Sequence, residues 1–202
     1  MTSRGNKRIL AGVCLALVLV VVAPLGAAAI SRSWVLERAQ VWVLAKVPYS
    51  QKRAATVEGS LIPTSTPGHL YAGYRTDCSG YVSMAFNLRT KSGAPYSLST
   101  ATLRPRLTPI AKADLRPGDV ILRPNDLVID GKRVAYGHAV VFGGWTDSTQ
   151  ASYVGYHESS SQKGAVRSTI QYGVSGFGSA IGFAPYRYTA VRDRVKLEMS
   201  AQ

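Results

Sequence analysis

The order of the hydrophobic patterns along the chain most constrains its fold, because helical patterns come first and strand patterns follow. Apolar residues recur at helical spacing from Ser31 to Lys46 and again after Cys78. The second half contains short apolar runs separated by Gly, Pro, Asn and Asp, which predict strands at 119–122, 127–129, 133–136, 138–142, 151–156 and 181–188. Helices followed by strands predict an α+β domain with an antiparallel sheet. The Gly- and Pro-rich stretch from Ser50 to Tyr74 predicts a long loop between the two helices.

Cys78 begins the second helical stretch and is the only cysteine outside the N-terminal apolar segment. Asp77 favours a helix N-terminus, and Tyr81 and Ala85 continue at helical spacing, so Cys78 is predicted to lie in the first turn. The open N–H groups of that turn and its positive dipole end favour the thiolate, which is the nucleophilic form. Gly80 is expected to keep the approach to the sulfur open. The alternative is a buried structural cysteine in an amphipathic helix.

Three histidines, at positions 69, 138 and 157, can supply the base that a cysteine nucleophile needs. His138 begins the apolar run 138–142, where an imidazole can project from a sheet edge toward a neighbouring helix. His69 lies in the predicted loop and is expected to be exposed to solvent. The three histidines lack the spacing of metal ligands, so no metal site is predicted.

Three motifs together resemble the NlpC-type cell-wall cysteine peptidases. They are Thr-Asp-Cys-Ser-Gly-Tyr-Val at 76–82, Leu-Arg-Pro-Gly-Asp-Val at 115–120 and Gly-His-Ala-Val at 137–140, in the order of that family. The resemblance extends from Val47 to Glu158. It implies a papain-like α+β fold in which the nucleophile opens a helix packed on an antiparallel sheet. It also implies that Cys78 is the nucleophile and His138 the base, and that no cofactor is required.

The family has a third polar residue that orients the base, and two neighbouring residues are candidates for it. His157 and Glu158 are adjacent on a predicted strand, so only one of them can face His138. Either a histidine or a carboxylate could accept from the second nitrogen of the base and fix its tautomer. The family more commonly has histidine, which places His157 slightly ahead of Glu158.

Substrate contacts are implied by the same resemblance for Tyr49, Asp77 and Ser79. Tyr49 follows a proline as in the family's substrate loop, although Ser-Gln-Lys follows it here in place of the usual Trp-Gly-Gly. Asp77 would recognise a substrate amino group, and it could equally serve only as a helix cap. The backbone N–H of Cys78 would contribute to an oxyanion hole.

Residues 1–29 predict export of the chain. A basic start, an apolar run from Ile9 to Ala23 and the small-residue end Ala27-x-Ala29 are typical of a secretory signal peptide. The apolar stretch is also long enough for an uncleaved membrane anchor. The remaining residues, 30–202, are predicted to form one papain-like domain that is extracellular or associated with the cell wall, in contact with a membrane only through an uncleaved anchor.

The formal charge of +13 suits polyanionic surroundings such as a bacterial wall rich in phosphate polymers, and it could equally serve solubility alone. Export and the absence of dense Lys/Arg runs argue against a nucleic-acid partner. The combined expectation is a hydrolase of peptidoglycan stem peptides, cutting between γ-D-glutamate and the diamino acid. The alternatives are an amidase or acyl transferase that uses the same residues, and a catalytically inactive basic protein that binds the wall.

Overall fold

The computed structural model of the protein describes residues 29–134, 136–173 and 182–193. The segment predicted as a signal peptide or anchor, residues 1–29, lies outside these ranges except for Ala29. Within the described ranges, no helix is long and apolar enough to cross a bilayer.

Helices dominate the first half of the described chain, as the spacing of its apolar residues predicts. The α-helices are α1 (Arg32–Leu44), α2 (Cys78–Ala85) and α3 (Thr100–Leu103), and 3₁₀ turns span His69–Tyr71, Arg104–Arg106 and Lys112–Asp114. The hydroxyl of Ser31 accepts from the backbone N–H of Trp34 at the start of α1, and the carboxylate of Asp77 accepts from that of Gly80 at the start of α2. Both caps satisfy backbone N–H groups that have no partner within the helix.

Strands dominate the second half. The strands of the whole described chain are β1 (Ile30–Ser31), β2 (Ser50–Ala55), β3 (Tyr74–Thr76), β4 (Leu107–Pro109), β5 (Val120–Arg123), β6 (Val128–Ile129), β7 (Lys132–Arg133), β8 (His138–Trp145), β9 (Ser152–Ser159), β10 (Gly164–Gln171), β11 (Ala184–Tyr188) and β12 (Val191–Arg192). Six of them form one sheet in the order β10-β9-β8-β5-β11-β4, with every neighbouring pair antiparallel. The predicted α+β class is therefore confirmed.

The main core lies between this sheet and the helices α1 and α2. Trp42 of α1 and Tyr81 of α2 are both fully buried and meet edge to face, with ring centroids 5.7 Å apart. The indole N–H of Trp42 donates to the carbonyl of Thr56, and the phenol of Tyr81 donates to the carbonyl of Ala39. Each ring thus buries its apolar surface while its polar atom keeps a hydrogen bond, and this contact fixes α2 against α1.

A second, smaller core covers the opposite face of the sheet. Its buried members are Leu115, Ile121, Val140, Phe142, Tyr153 and Ile170. Residues adjacent to these on β5 and β8, such as Val120 and Val141, belong to the main core instead. Successive residues point to opposite faces, and both faces of the central strands are covered, so these strands appear in the sequence as continuous apolar runs.

The long loop predicted from Ser50 to Tyr74 is only partly a loop. Its first residues form β2, which pairs with β3 immediately before α2, with Ser50 opposite Thr76. The strand was not predicted because Ser50–Arg53 is polar and half-buried or exposed, and so lacks the alternation that marks a strand. The pairing places Tyr49 next to the N-terminus of α2.

Candidate active site

A cleft of about 720 Å³ opens at the N-terminus of α2 and contains the predicted nucleophile and base. Cys78 and His138 both line it, together with the three predicted substrate contacts. The remaining lining residues are Gln51, Arg75, Ser99, Thr100, Asn125, Arg133, Val134, Tyr136, Gly137, Ser159, Ser160 and Ser161. The cleft therefore brings together the start of β2, the end of β3, the starts of α2 and α3, the segment from β7 to β8 and the turn after β9.

Cys78 is the first residue of α2, as predicted. The helix packs closely on the end of β3, because a Cβ on Gly80 would collide with the backbone carbonyl of Arg75. Glycine is thus required there by the contact between helix and strand. This packing role was not expected from the sequence, and the expectation that Gly80 keeps the approach to the sulfur open stays a prediction.

The thiol of Cys78 is 8% exposed. Burial and, to a smaller extent, the carboxylate of Asp77 raise its pKa to about 12, while hydrogen bonds from the backbone of Ala139, Ser79 and Cys78 act in the opposite direction. The prediction that the helix N-terminus favours the thiolate is therefore wrong, because desolvation of the thiol outweighs the backbone N–H groups. Cys78 is therefore a neutral thiol at neutral pH.

His138 is the first residue of β8 and is hydrogen-bonded to His157 of β9. Nε2 of His138 lies 3.2 Å from Nδ1 of His157, and the two rings are nearly perpendicular. Burial lowers the pKa of both imidazoles, and their mutual repulsion when charged lowers that of His138 further. Both rings are therefore neutral at neutral pH, and each carries one proton. In the hydrogen bond between them, one of the two facing nitrogens is the donor and the other is the acceptor.

Glu158 points to the other face of β9. It lies opposite Ala165 of β10, which belongs to the main core beneath α2, whereas His157 lies opposite Val166. Glu158 is completely buried, and neither of its carboxyl oxygens has a hydrogen-bond partner among the described residues. Burial and, secondarily, Asp77 raise its pKa to about 9. Of the two adjacent candidates, the structure brings His157 into contact with His138, the predicted base.

The three predicted substrate residues all line the cleft, and they differ in burial and in hydrogen bonding. Tyr49 is half-buried, and burial together with the neighbouring Cys78 raises the pKa of its phenol. Asp77 caps α2 and forms an ion pair with Arg75, with Nε and Oδ2 2.8 Å apart. The hydroxyl of Ser79 donates to Asp77 and accepts from Arg75.

Comparisons with known proteins give structural neighbours and no sequence match. No family model matches the chain, and no curated protein matches it. Among solved structures, the chain is similar to an NlpC/P60 family protein from Bacillus cereus (TM-score 0.46, 15% identity, 79% of this chain and 41% of that chain). It is also similar to the peptidoglycan hydrolase RipB from Mycobacterium tuberculosis (TM-score 0.46, 17% identity, 78% and 64%).

A third neighbour is an NLP/P60 family protein, described as similar to lipoprotein, from Staphylococcus aureus (TM-score 0.41, 13% identity, 78% and 41%). Two of these three are NlpC/P60 family proteins. That is the family whose motifs the sequence resembles. The alignments span less than two thirds of the length of each solved chain.

Arg75 and Arg133 line the cleft but do not belong to the motifs that resemble the NlpC-type peptidases. Arg75 precedes Asp77 by two residues on an extended segment, and this spacing places two side chains on one side of a strand. That spacing is the signal by which the sequence could have predicted the ion pair. No such signal in the sequence points to Arg133. This residue follows Cys78 by more than fifty residues along the chain, and the pairing of β6 with β7 brings it to the cleft.

Proposed function

We propose that the protein is an exported cysteine hydrolase of bacterial peptidoglycan that cleaves the amide bond between γ-D-glutamate and the diamino acid of the stem peptide. The observation that carries the proposal is the geometry of three residues. Cys78 opens a helix in the same cleft as His138, and His138 is hydrogen-bonded to His157. The motifs around Cys78 and His138 and the peptidoglycan hydrolase among the structural neighbours support the choice of substrate.

The tautomer of His138 follows from the role of a base. To accept the thiol proton at Nδ1, the ring must carry its own proton on Nε2, which then donates to Nδ1 of His157. His157 accordingly carries its proton on Nε2. The bond between the two rings holds the imidazole of His138 in position before and after it becomes charged.

The chemistry begins from the neutral pair. As the sulfur of Cys78 attacks the amide carbonyl, His138 takes the thiol proton at Nδ1 and becomes imidazolium, still donating from Nε2 to His157. The backbone N–H of Cys78 donates to the developing oxyanion, a contact worth about 2.7–4 kcal/mol in comparable sites. The imidazolium then protonates the leaving amine as the C–N bond breaks, leaving a thioester on Cys78.

Hydrolysis completes the cycle. His138, neutral again, takes a proton from water as the water oxygen attacks the thioester carbonyl. The C–S bond breaks, the sulfur regains the proton from His138, and the peptide leaves as a carboxylic acid. Because a neutral thiol is the resting form, the proton moves during attack rather than before it.

The test is to incubate the full chain, purified in mild detergent, with muropeptides and to identify the fragments by mass spectrometry. The wild type should release fragments whose masses correspond to cleavage after γ-D-glutamate, while Cys78→Ala should release none and still bind the substrate. Fragments cut between the glycan and the peptide would indicate an amidase instead. No fragments from a folded, reduced wild-type protein would contradict the proposal and favour an inactive protein that binds the wall.

A further inference from the structure

The carboxylate of Asp77, which borders the reacting sulfur, is already paired with an arginine and with two further donors within the protein. It accepts from the backbone N–H of Gly80 at 2.7 Å, from the hydroxyl of Ser79 at 3.1 Å and from Nε of Arg75 at 2.8 Å. Nη2 of Arg75 adds a longer contact at 3.5 Å. Its side chain is only 10% exposed. A substrate ammonium group would compete with Arg75 for this carboxylate and would be repelled by the charge of the guanidinium.

Arg75 is held in place so that part of its guanidinium remains available to the cleft. Nη2 donates to the carbonyl of Leu98 at 2.9 Å and Nε donates to Asp77, which fixes the plane of the group. Nη1 has no acceptor among the described residues, and the side chain lines the cleft. A fixed guanidinium with an unused N–H edge is suited to a carboxylate.

Arg133 supplies a second cation from another side of the cleft. Its Nε donates to the backbone carbonyl of Asn125 at 2.9 Å, and within the described chain its two Nη atoms have no acceptor. Arg75, Arg133 and Asp77 are the charged side chains among the described lining residues, so the lining carries a formal charge of plus one (two arginines less one aspartate). Glu158 does not offset this charge, because its raised pKa of about 9 keeps it protonated.

We infer that the cleft selects an acyl group that carries a carboxylate and has no free amino terminus, which is a stem peptide still acylated at its N-terminal alanine. The inference rests on the proposed function, since it takes the γ-D-glutamyl peptide as the ligand. A γ-linked glutamyl residue leaves its α-carboxylate free, and Arg75 and Arg133 are placed to receive it. A free ammonium group at the neighbouring alanine would face this positive lining and a carboxylate that is already paired.

Binding to the full-length Cys78→Ala protein tests the inference without depending on turnover. Three ligands are titrated by calorimetry: N-acetyl-L-alanyl-γ-D-glutamyl-L-lysine, the same peptide with a free alanyl amine, and the N-acetylated peptide with an α-carboxamide on the glutamyl residue. The first should bind most tightly, and each of the other two about tenfold more weakly, as expected for one partly exposed charge contact.

Variants of Arg133 then assign the preference to the cleft. Combined with Cys78→Ala, Arg133→Gln should bring the affinities for the α-carboxylate peptide and the α-carboxamide peptide to within about twofold of each other. Arg133→Lys should keep most of the preference for the carboxylate. Lys132→Gln is the matched control, because Lys132 is the exposed neighbour on the same strand and does not line the cleft. It should leave all three affinities unchanged.

Tighter binding of the free amine, or an acid preference that survives Arg133→Gln, would overturn the inference. Cleavage of the same three peptides by the wild type is measured in parallel. Equal cleavage of all three would overturn the inference and leave the proposed function standing. The predicted binding preference without any cleavage would support the inference and overturn the proposed function.

Discussion

At the scale of single residues, two adjacent side chains of β9 point to opposite faces of the sheet and have different surroundings. His157 contacts His138, the predicted base, and Glu158 is buried beneath α2 with no hydrogen-bond partner among the described residues. The sequence predicts that only one of them can face His138, because neighbouring strand residues point to opposite faces. It cannot predict which one, since that depends on the register of β9 against its neighbours.

Glu158→Gln should therefore stabilise the protein at neutral and alkaline pH. The folded pKa, about 9, lies above the ordinary value of 4.5, so the folded protein holds a proton that the unfolded chain releases. Stability is then lost as pH rises from about 4.5 to 9, by up to about 1.4 kcal/mol per pH unit. Urea unfolding at pH 5, 6, 7 and 8 should show that the free energy of unfolding of the variant, relative to that of the wild type, increases as pH rises.

The control for this prediction is Glu37→Gln at an exposed position of α1, which should show no such trend. A constant difference between Glu158→Gln and the wild type across this pH range would contradict an ionisable, buried Glu158. In the cleavage assay, Glu158→Gln should remain active. His157→Ala should lose at least about a hundredfold in kcat, because His138 would lose the partner that orients it.

At the scale of elements, the close contact between α2 and β3 positions Cys78, the predicted nucleophile. Gly80→Ala introduces a Cβ that collides with the carbonyl of Arg75, and because the colliding atoms belong to backbone there is little room to relax. The substitution should cost about 1–3 kcal/mol from overpacking, although alanine is intrinsically the better helix former by about 1 kcal/mol. Thermal unfolding measures the loss, and turnover should fall with it because Cys78 moves with the helix.

Gln40→Ala on α1 is the matched control, since it changes a helix position that is partly exposed, and it should alter stability by less than about 0.5 kcal/mol. If Gly80→Ala were as stable as the wild type, the packing of α2 on β3 would not require glycine.

The elements were predicted unevenly from the sequence. The start of α2 at Cys78 and the strands β5, β8 and β9 were predicted, because apolar side chains on these elements follow clear periods. β2 and β10 were not predicted. Both are edge strands with many exposed polar residues, so they are strands through pairing with β3 and β9 rather than through their own patterns.

At the scale of the whole molecule, one buried carboxylate joins distant parts of the chain. Asp119 is fully buried and forms ion pairs with Arg32 at the start of α1 and with Arg187 of β11. Its carboxylate also accepts from the backbone N–H of Arg116. The Pro-Gly-Asp sequence at 117–119, part of the family resemblance, thus has a structural role in connecting the first helix to the sheet.

Asp119→Ala should destabilise the protein by about 3 kcal/mol, because two partly buried arginines and one backbone N–H lose their acceptor. Denaturant unfolding at neutral pH measures this loss. The exposed pair of Arg104 and Asp126 provides the contrast, and Asp126→Ala should cost no more than about 1 kcal/mol. Similar losses for the two variants would show that Asp119 does not connect the helix to the sheet.

The sequence by itself determined the α+β order of the elements, the placement of Cys78 in the first turn of a helix and the choice of His138 as the candidate base. These follow from local periodicity, capping and a motif, which are properties of neighbouring residues. Only the tertiary structure decided that His157 contacts His138, that burial keeps the Cys78 thiol neutral and that Arg75 and Arg133 line the cleft. Each of those depends on strand register, burial or long-range contact, and local sequence patterns do not specify these quantities.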